Sequence, residues 1–182
     1  RVLDPACGSG NFLYVAFREL YRLDTELLAR FREFPSPQGQ GKAKITWGVT
    51  IKTSSFFGID INPFAVELAK VTLNIAKKIA FDERREVAAD LVGQMELDVD
   101  PSLPLDNLDK NIVCADALFT DWPNVDAIVG NPPFLGGSKI RQELGQEYLQ
   151  RIQRELGADI ADIACYWFRR AHDQLPDGGR AG

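Results

Sequence analysis

One histidine, His172, and three widely spaced cysteines, Cys7, Cys114 and Cys165, are the whole supply of imidazole and thiolate metal ligands in this 182-residue sequence. An odd number of distant cysteines frames neither a disulfide scaffold nor a zinc site. No pair of acids stands in a metal motif either, so no metal is expected. With no disulfides to maintain, a reducing, cytoplasmic setting fits best. Long apolar runs are also missing. No segment approaches the ~18 consecutive apolar residues of a membrane span, and no charged-then-apolar signal opens the chain, so no membrane partner is expected. Basic excess is missing as well: the net charge is −5, whereas binding to nucleic-acid phosphates relies on clustered Lys and Arg. Either nucleic acid is not the substrate, or most of the basic surface lies elsewhere. The first residues, "RVLD", read as strand with no polar lead-in, and "LPDGGRAG" stops just after a turn where another strand is expected. We therefore expect a piece of a longer protein, truncated at both ends.

What is present suits one domain, 1–182. The chain is 45% hydrophobic and 26% charged, an ordinary globular mixture, and long enough for a proper core. Val2-Leu3 reads as a strand end. From Asn11 to about Phe34, Phe12, Val15, Ala16, Leu20, Leu23, Leu27 and Phe31 recur at helical spacing. "PSPQGQGKAK" (35–44) reads as a loop and "TWGVTIKT" (46–53) as a short extra strand or hairpin arm. "SFFGID" (55–60) reads as a buried strand. Asn62-Pro63 then caps a helix to about Ile79, with Asn at the N-cap and Pro in the first turn. The stretch 90–109 reads as irregular, and 111–116 and 125–130 as two more buried strands. Helices follow at about 139–156 and 159–174, the latter capped by Asp159 with Ile160, Ile163, Ala164, Trp167, Phe168 and Ala171 on one face. Alternating strands and helices with near-continuous apolar strands predict an α/β fold, a mostly parallel sheet covered on both faces. In such sheets ligands bind at the carboxyl ends of the strands.

Four segments fall there. In "DPACGSGNF", Gly8 and Gly10 allow a tight turn that brings backbone amides close to a ligand or merely turns the chain. Leu13 stands where the dinucleotide fingerprint needs its third glycine, and Asp4 would repel a pyrophosphate, so a phosphate-binding loop is disfavoured. An acid there suits an ammonium. Asp60 can accept from both hydroxyls of a ribose or cap the following helix. Asp116 can accept from an adenine amino group, with Ile61 or Phe119 against the ring, or simply form a turn. The three acids together suit S-adenosylmethionine. The fourth segment, "GNPPFLGG" (130–137), ends a strand in two prolines that cannot donate to a ladder. The Asn131 side-chain oxygen and the Pro132 carbonyl, stiffened by Pro133, could grip both hydrogens of an aromatic amino group and draw its nitrogen toward tetrahedral geometry. Phe134 offers a face for a flipped base. A purely structural turn is the alternative.

"DPACGSGNFL" (4–13), "FGIDINP" (57–63), "DAL" (116–118) and "NPPF" (131–134) resemble the motifs of class I DNA adenine-N6 methyltransferases, in the gamma order. "GNPPFLGGSKIR" with "DIACYWFRRA" resembles more narrowly the MmeI-like (type IIL) restriction–modification enzymes. The resemblance implies a Rossmann-like fold and S-adenosylmethionine as cofactor. It implies that Asp4 and the turn Ala6, Cys7, Gly8, Gly10, Asn11 and Phe12 hold the cofactor's methionine end. Asp60 would then hold its ribose and Asp116 its adenine, with Ile61 and Ala117 also binding the cofactor. Asn131, Pro132, Pro133 and Phe134 would hold an adenine flipped from double-stranded DNA. It also implies an upstream nuclease and a downstream target-recognition region, both absent from this chain. Rival readings are methylation of an RNA base, of cytosine N4 or of a protein glutamine amide, and a non-catalytic cofactor-binding domain. A nicotinamide-dependent dehydrogenase fits poorly because of the glycine pattern.

Overall fold

The computed structural model describes residues 1–31, 51–92, 105–157 and 162–182. The expected loop at 35–44, the start of the expected strand at 46–53, most of the expected irregular stretch at 90–109 and the cap Asp159 lie outside them. Among the described residues, five strands form one parallel sheet in the order β3-β2-β1-β4-β5: β1 (Val2–Asp4), β2 (Phe56–Asp60), β3 (Ile112–Cys114), β4 (Ala127–Ile128) and β5 (Arg180–Ala181). The sheet is thus wholly parallel. The strand expected after "LPDGG" begins within the chain, with Ala127 paired to Arg180 and Ile128 to Ala181.

Successive strand residues serve opposite cores, which is why these strands read as unbroken apolar runs. Val2, Phe56 and Ile112 pack with Leu13, Phe17, Leu73 and Ala76 on one face. Leu3, Ile59 and Ile128 pack with Trp122, Ile152, Ile163 and Trp167 on the other. The first face is covered by α1 (Asn11–Phe31) and α2 (Pro63–Val92). The second is covered by α3 (Gly137–Glu143), α4 (Gln146–Leu156) and α5 (Ala164–Gln174).

Several sequence expectations need correction. In α1 the buried stripe is Leu13, Phe17 and Tyr21, whereas Phe12, Val15, Leu23 and Leu27 are exposed. Apolar residues occupy most of this helix's circumference, so spacing alone could not choose the face. The Asn62 cap of α2 is present, its side-chain oxygen accepting from Phe64 N at 3.0 Å and Ala65 N at 3.3 Å. The helix nonetheless passes Ile79 and runs to Val92. No Gly or Pro stands between, and its later turns lean on α1 through the pairs Arg18–Glu83 and Arg84–Asp24. The single helix expected at 139–156 is two. Gly145 at φ +88° breaks it, a conformation costly for residues with a Cβ. Finally, α5 starts at Ala164, and Phe168 on it is 62% exposed rather than part of the buried face. The described residues 51–55 form coil and a short 3-10 turn instead of a strand.

Candidate active site

β1 and β4 are neighbours although β2 and β3 intervene in sequence, so the winding direction reverses between them. At such a switch point the loops leaving the two strands diverge and open a crevice beyond their carboxyl ends. Here the diverging segments are "DPACGSG" after β1 and "NPPF" after β4. The first is a closed turn: Gly10 N donates to Cys7 O at 2.8 Å, and Cys7 N donates across to Ile59 O at 3.0 Å. Gly10 has φ +85°, and a Cβ there would sit 3.0 Å from Ala69 Cα of α2. Any side chain would separate the two helices or distort the turn.

The three strand-end acids occupy different environments. Asp60 accepts from Gly8 N through Oδ2 and from Asn62 N through Oδ1, both at 2.8 Å, tying the glycine turn to the end of β2. Asp116 accepts from Leu118 N at 2.9 Å and from the Tyr148 hydroxyl at 2.8 Å. Asp4 has no exposed surface. One of its oxygens accepts from Ala6 N at 3.0 Å and the other is buried without a partner. Burial, aided by the nearby Asp60 charge, pushes the Asp4 carboxyl up to about 7. Burial and the same two acids push the Cys7 thiol up to about 12, so it is neither charged nor nucleophilic at neutral pH. A positive group in contact with Asp4 would relieve both the orphaned oxygen and the acid–acid repulsion.

A cavity of about 400 Å³ opens in this crevice, and Asp60, Ile61, Asp116, Ala117, Asn131 and Pro133 are in its wall together with Ala6. Sites for small ligands are typically about 300–1,000 Å³. Among the residues singled out in the sequence, Asp4, Cys7, Gly8, Gly10, Asn11, Phe12, Pro132 and Phe134 do not line this cavity. Pro132 instead lines a smaller hollow of about 100 Å³ that shares Pro5, Ala6 and Trp167 with the first, along with Gly130 and Phe168. Asn131 is exposed, and its side chain has no hydrogen-bond partner among the described residues. Phe134 is 65% exposed. The Phe119 ring faces Arg151 (3.6 Å) and the edge of Tyr148, so of the two rings or chains expected against an adenine, Ile61 is the one in the cavity wall. Among the described residues no cluster of His, Cys, Asp and Glu is arranged to hold a metal ion. No helix among them is long and apolar enough to cross a membrane.

Several wall and support residues are not among the site residues singled out in the sequence, although Ile163 and Trp167 stand on the expected face of the last helix. Leu135, Leu144, Tyr148, Ile163 and Trp167 also line the cavity. α5 and the residues just before it hold three of the four segments at once. Asp162 accepts from Leu135 N at 3.2 Å and Ile163 N donates to Leu135 O at 2.9 Å, anchoring the chain that leaves "NPPF". Trp167 Nε1 donates to Pro5 O at 3.3 Å. Arg170 donates to the carbonyls of Ala117, Leu118 and Thr120 at 2.7–2.9 Å while lying over Trp122. "DIACYWFRRA" is thus the strut that sets the motif loops against one another.

A doubly wound parallel sheet with these four loops at one end defines a methyltransferase domain. The chain belongs to the MmeI DNA-methyltransferase domain family, whose model matches residues 1–178. It is 31% identical over 176 residues to DNA methyltransferase A of Bacillus subtilis, covering 92% of this chain and 18% of that protein. Over 80 residues it is 36% identical to the adenine-specific methyltransferase PglX of Streptomyces coelicolor, covering 44% of this chain and 6% of that protein. A putative type II restriction enzyme and methyltransferase of Methanocaldococcus jannaschii is 31% identical over 118 residues, or 65% of this chain and 8% of that protein. Among solved structures, the type IIL restriction–modification enzyme MmeI in complex with DNA superposes with a TM-score of 0.67 at 29% identity, over 95% of this chain and 22% of that one. The chain thus spans about a fifth or less of the length of each of these relatives.

Proposed function

We propose that this domain, 1–182, transfers a methyl group from S-adenosylmethionine to the N6 amino group of an adenine flipped out of double-stranded DNA, within a restriction–modification protein. The observation that carries the reading is the placement of Asn131: its unpartnered amide stands in the wall of the same cavity as Asp60 and Asp116, one turn of chain from the exposed ring of Phe134. An amide oxygen left free beside a ligand cavity is what a clamp for an amino group requires.

The chain's residues fit the cofactor. The orphaned oxygen of Asp4 suits its ammonium, and Gly130 makes room for that carboxylate, since a Cβ there would lie 2.7 Å from Asp4 Oδ1. Asp60 retains one unused lone pair on each oxygen for the ribose hydroxyls. When bound, S-adenosylmethionine supplies a methyl group on a positively charged sulfur. Asn131 and the Pro132 carbonyl accept from the two amino hydrogens of the base, which turns the nitrogen lone pair out of the ring and toward the methyl carbon. The methyl group the cofactor would supply passes to the amino nitrogen held by Asn131 and the Pro132 carbonyl, and the electrons of the S–C bond would stay on sulfur. The extra proton then leaves to water, and no strong base is needed. Phe134 stacks on the extruded ring. With a net charge of −5, most contacts to DNA phosphates fall to a target-recognition region outside these residues, as a nuclease would. A cytoplasmic location accompanies that function.

The deciding test incubates the full-length protein with defined DNA and methyl-labelled cofactor, then digests to nucleosides. Label in N6-methyldeoxyadenosine is expected. Label in N4-methylcytosine, in RNA or in a protein glutamine overturns the substrate, and cofactor binding without any transfer identifies a non-catalytic domain. Separately, Asp60→Ala should weaken cofactor binding by about 1–3 kcal/mol in calorimetry. Unchanged affinity would remove Asp60 from the ribose site.

A further inference from the structure

The geometry points to Tyr148 as the residue that aims Asp116 at the exocyclic amino group of the cofactor's adenine, making it a determinant of cofactor specificity; this rests on the reading of Asp116 proposed above. Nothing in the sequence around Tyr148 marks it, because α4 reads as an ordinary amphipathic helix. Folding brings its hydroxyl to 2.8 Å from Asp116 Oδ2, and both residues line the same cavity.

A carboxylate turns freely about its last side-chain bond, since sp³–sp² torsions have broad minima. Asp116 does not have that freedom. Leu118 N at 2.9 Å holds Oδ1 and the Tyr148 hydroxyl holds Oδ2. One lone pair on each oxygen remains for a ligand. Of the two donors, Leu118 N is backbone and common to any turn of this shape, whereas Tyr148 comes from another helix and is a choice of side chain. Its ring is itself held. The edge of Tyr148 meets Phe119 with centroids 5.7 Å apart and planes at 85°, and the Arg151 guanidinium covers the Phe119 face at 3.6 Å. Buried Leu149 and Ile152 fix α4 against the sheet. Burial and the Asp116 carboxylate hold the phenol well above its ordinary value, so it remains a donor throughout the working pH range. An aimed acceptor rewards a base that brings an N–H donor and leaves one without it unpaired against a charge. Such a site discriminates strongly against the analogue lacking the donor.

The experiment compares full-length wild type with Tyr148→Phe, which keeps the ring and its packing and removes only the hydroxyl. Calorimetry measures binding of S-adenosylhomocysteine and of its 6-deamino analogue, which carries hydrogen in place of the amino group. Wild type should prefer the amino compound. Tyr148→Phe should lose about tenfold in affinity for S-adenosylhomocysteine and hold its affinity for the deamino analogue within about twofold. A variant that weakens both compounds equally, or neither, overturns the assignment, because a merely structural tyrosine would not alter the ratio. If wild type itself binds the two compounds equally, Asp116 does not read the amino group, and the adenine assignment falls together with the role of Tyr148. If wild type binds neither compound, the cofactor itself is wrong. A wild type that discriminates beside a Tyr148→Phe that discriminates equally leaves Asp116 in place and removes Tyr148 alone.

Discussion

Asn131→Ala in the full-length enzyme is expected to slow methyl transfer by about 10²–10³-fold, the usual consequence of deleting one preorganised partner of a transition state. Folding and cofactor binding should stay close to wild type. The side chain is exposed and unpartnered among the described residues, so its removal breaks no bond of the folded state, and such surface changes usually stay within about ±0.5 kcal/mol. The loss falls on the chemical step because the amide's bond to the amino group strengthens as the nitrogen approaches tetrahedral geometry. Phe134→Ala should behave differently. Its ring, 65% exposed, contributes to holding the extruded base, and stacking is worth roughly 1–3 kcal/mol per base, so KM for DNA should rise more than single-turnover rate falls. Single-turnover methylation at saturating cofactor, with thermal melting as the control, separates the two. An Asn131→Ala protein that melts early yet turns over normally in its folded fraction would make "NPPF" a structural turn and remove the clamp.

Why the motif was readable while its surroundings were not is a matter of how local the physics is. Asn131-Pro132-Pro133 ends a strand by covalent structure alone, and Gly10 at φ +85° is announced by the residue type. The three acids stand out because each closes an apolar run. None of these inferences needs the rest of the chain. Burial of α1 through Leu13, Phe17 and Tyr21 does need it. So does the extension of α2, which depends on ion pairs with α1, and the wall formed by Leu144 and Tyr148, which depends on Gly145 turning α4 back over Asp116. Arg170 is the sharpest case. A lone arginine on a helix is ordinarily a solvated charge, yet it donates to three carbonyls of the Asp116 loop, a role set by where α5 packs. The sequence does hold a trace of it: Trp122, against whose ring Arg170 lies, is a large aromatic within an otherwise polar turn.

Asp4→Asn is expected to stabilise the empty domain at neutral pH and to reduce the stabilisation that ligand brings, with pH as the discriminating variable. The Asp4 carboxyl is raised from 3.8 to about 7, mainly by burial, so the folded state holds its proton more tightly than the unfolded state does. Below pH ~4 both states are protonated and the group costs nothing. As pH rises from ~4 to ~7 the unfolded chain releases the proton while the folded chain keeps it or buries a charge, and stability falls. Above pH ~7 the cost is complete, on the order of 4 kcal/mol at 1.36 kcal/mol per pKa unit. Asparagine keeps an acceptor for the Ala6 amide and carries no charge at any pH. The empty Asp4→Asn protein should therefore match wild type near pH 4 and melt above it at pH 8. Asp60 is the neighbouring charge and is unchanged in the variant, and the Cys7 thiol stays neutral across this range, so the difference between the two melting curves isolates Asp4. Saturating S-adenosylhomocysteine, which carries the ammonium, should narrow the gap at pH 8 by stabilising wild type more than the variant. Wild type then gains a charge-assisted bond worth about 1.5–3 kcal/mol that asparagine makes only weakly. Melting curves that stay parallel from pH 4 to 8 would mean that Asp4 is not held as a strained acid. A ligand-induced stabilisation equal in both proteins would mean that its orphaned oxygen does not face the ammonium. The two readouts fail independently, so they separate the burial of this carboxylate from its use.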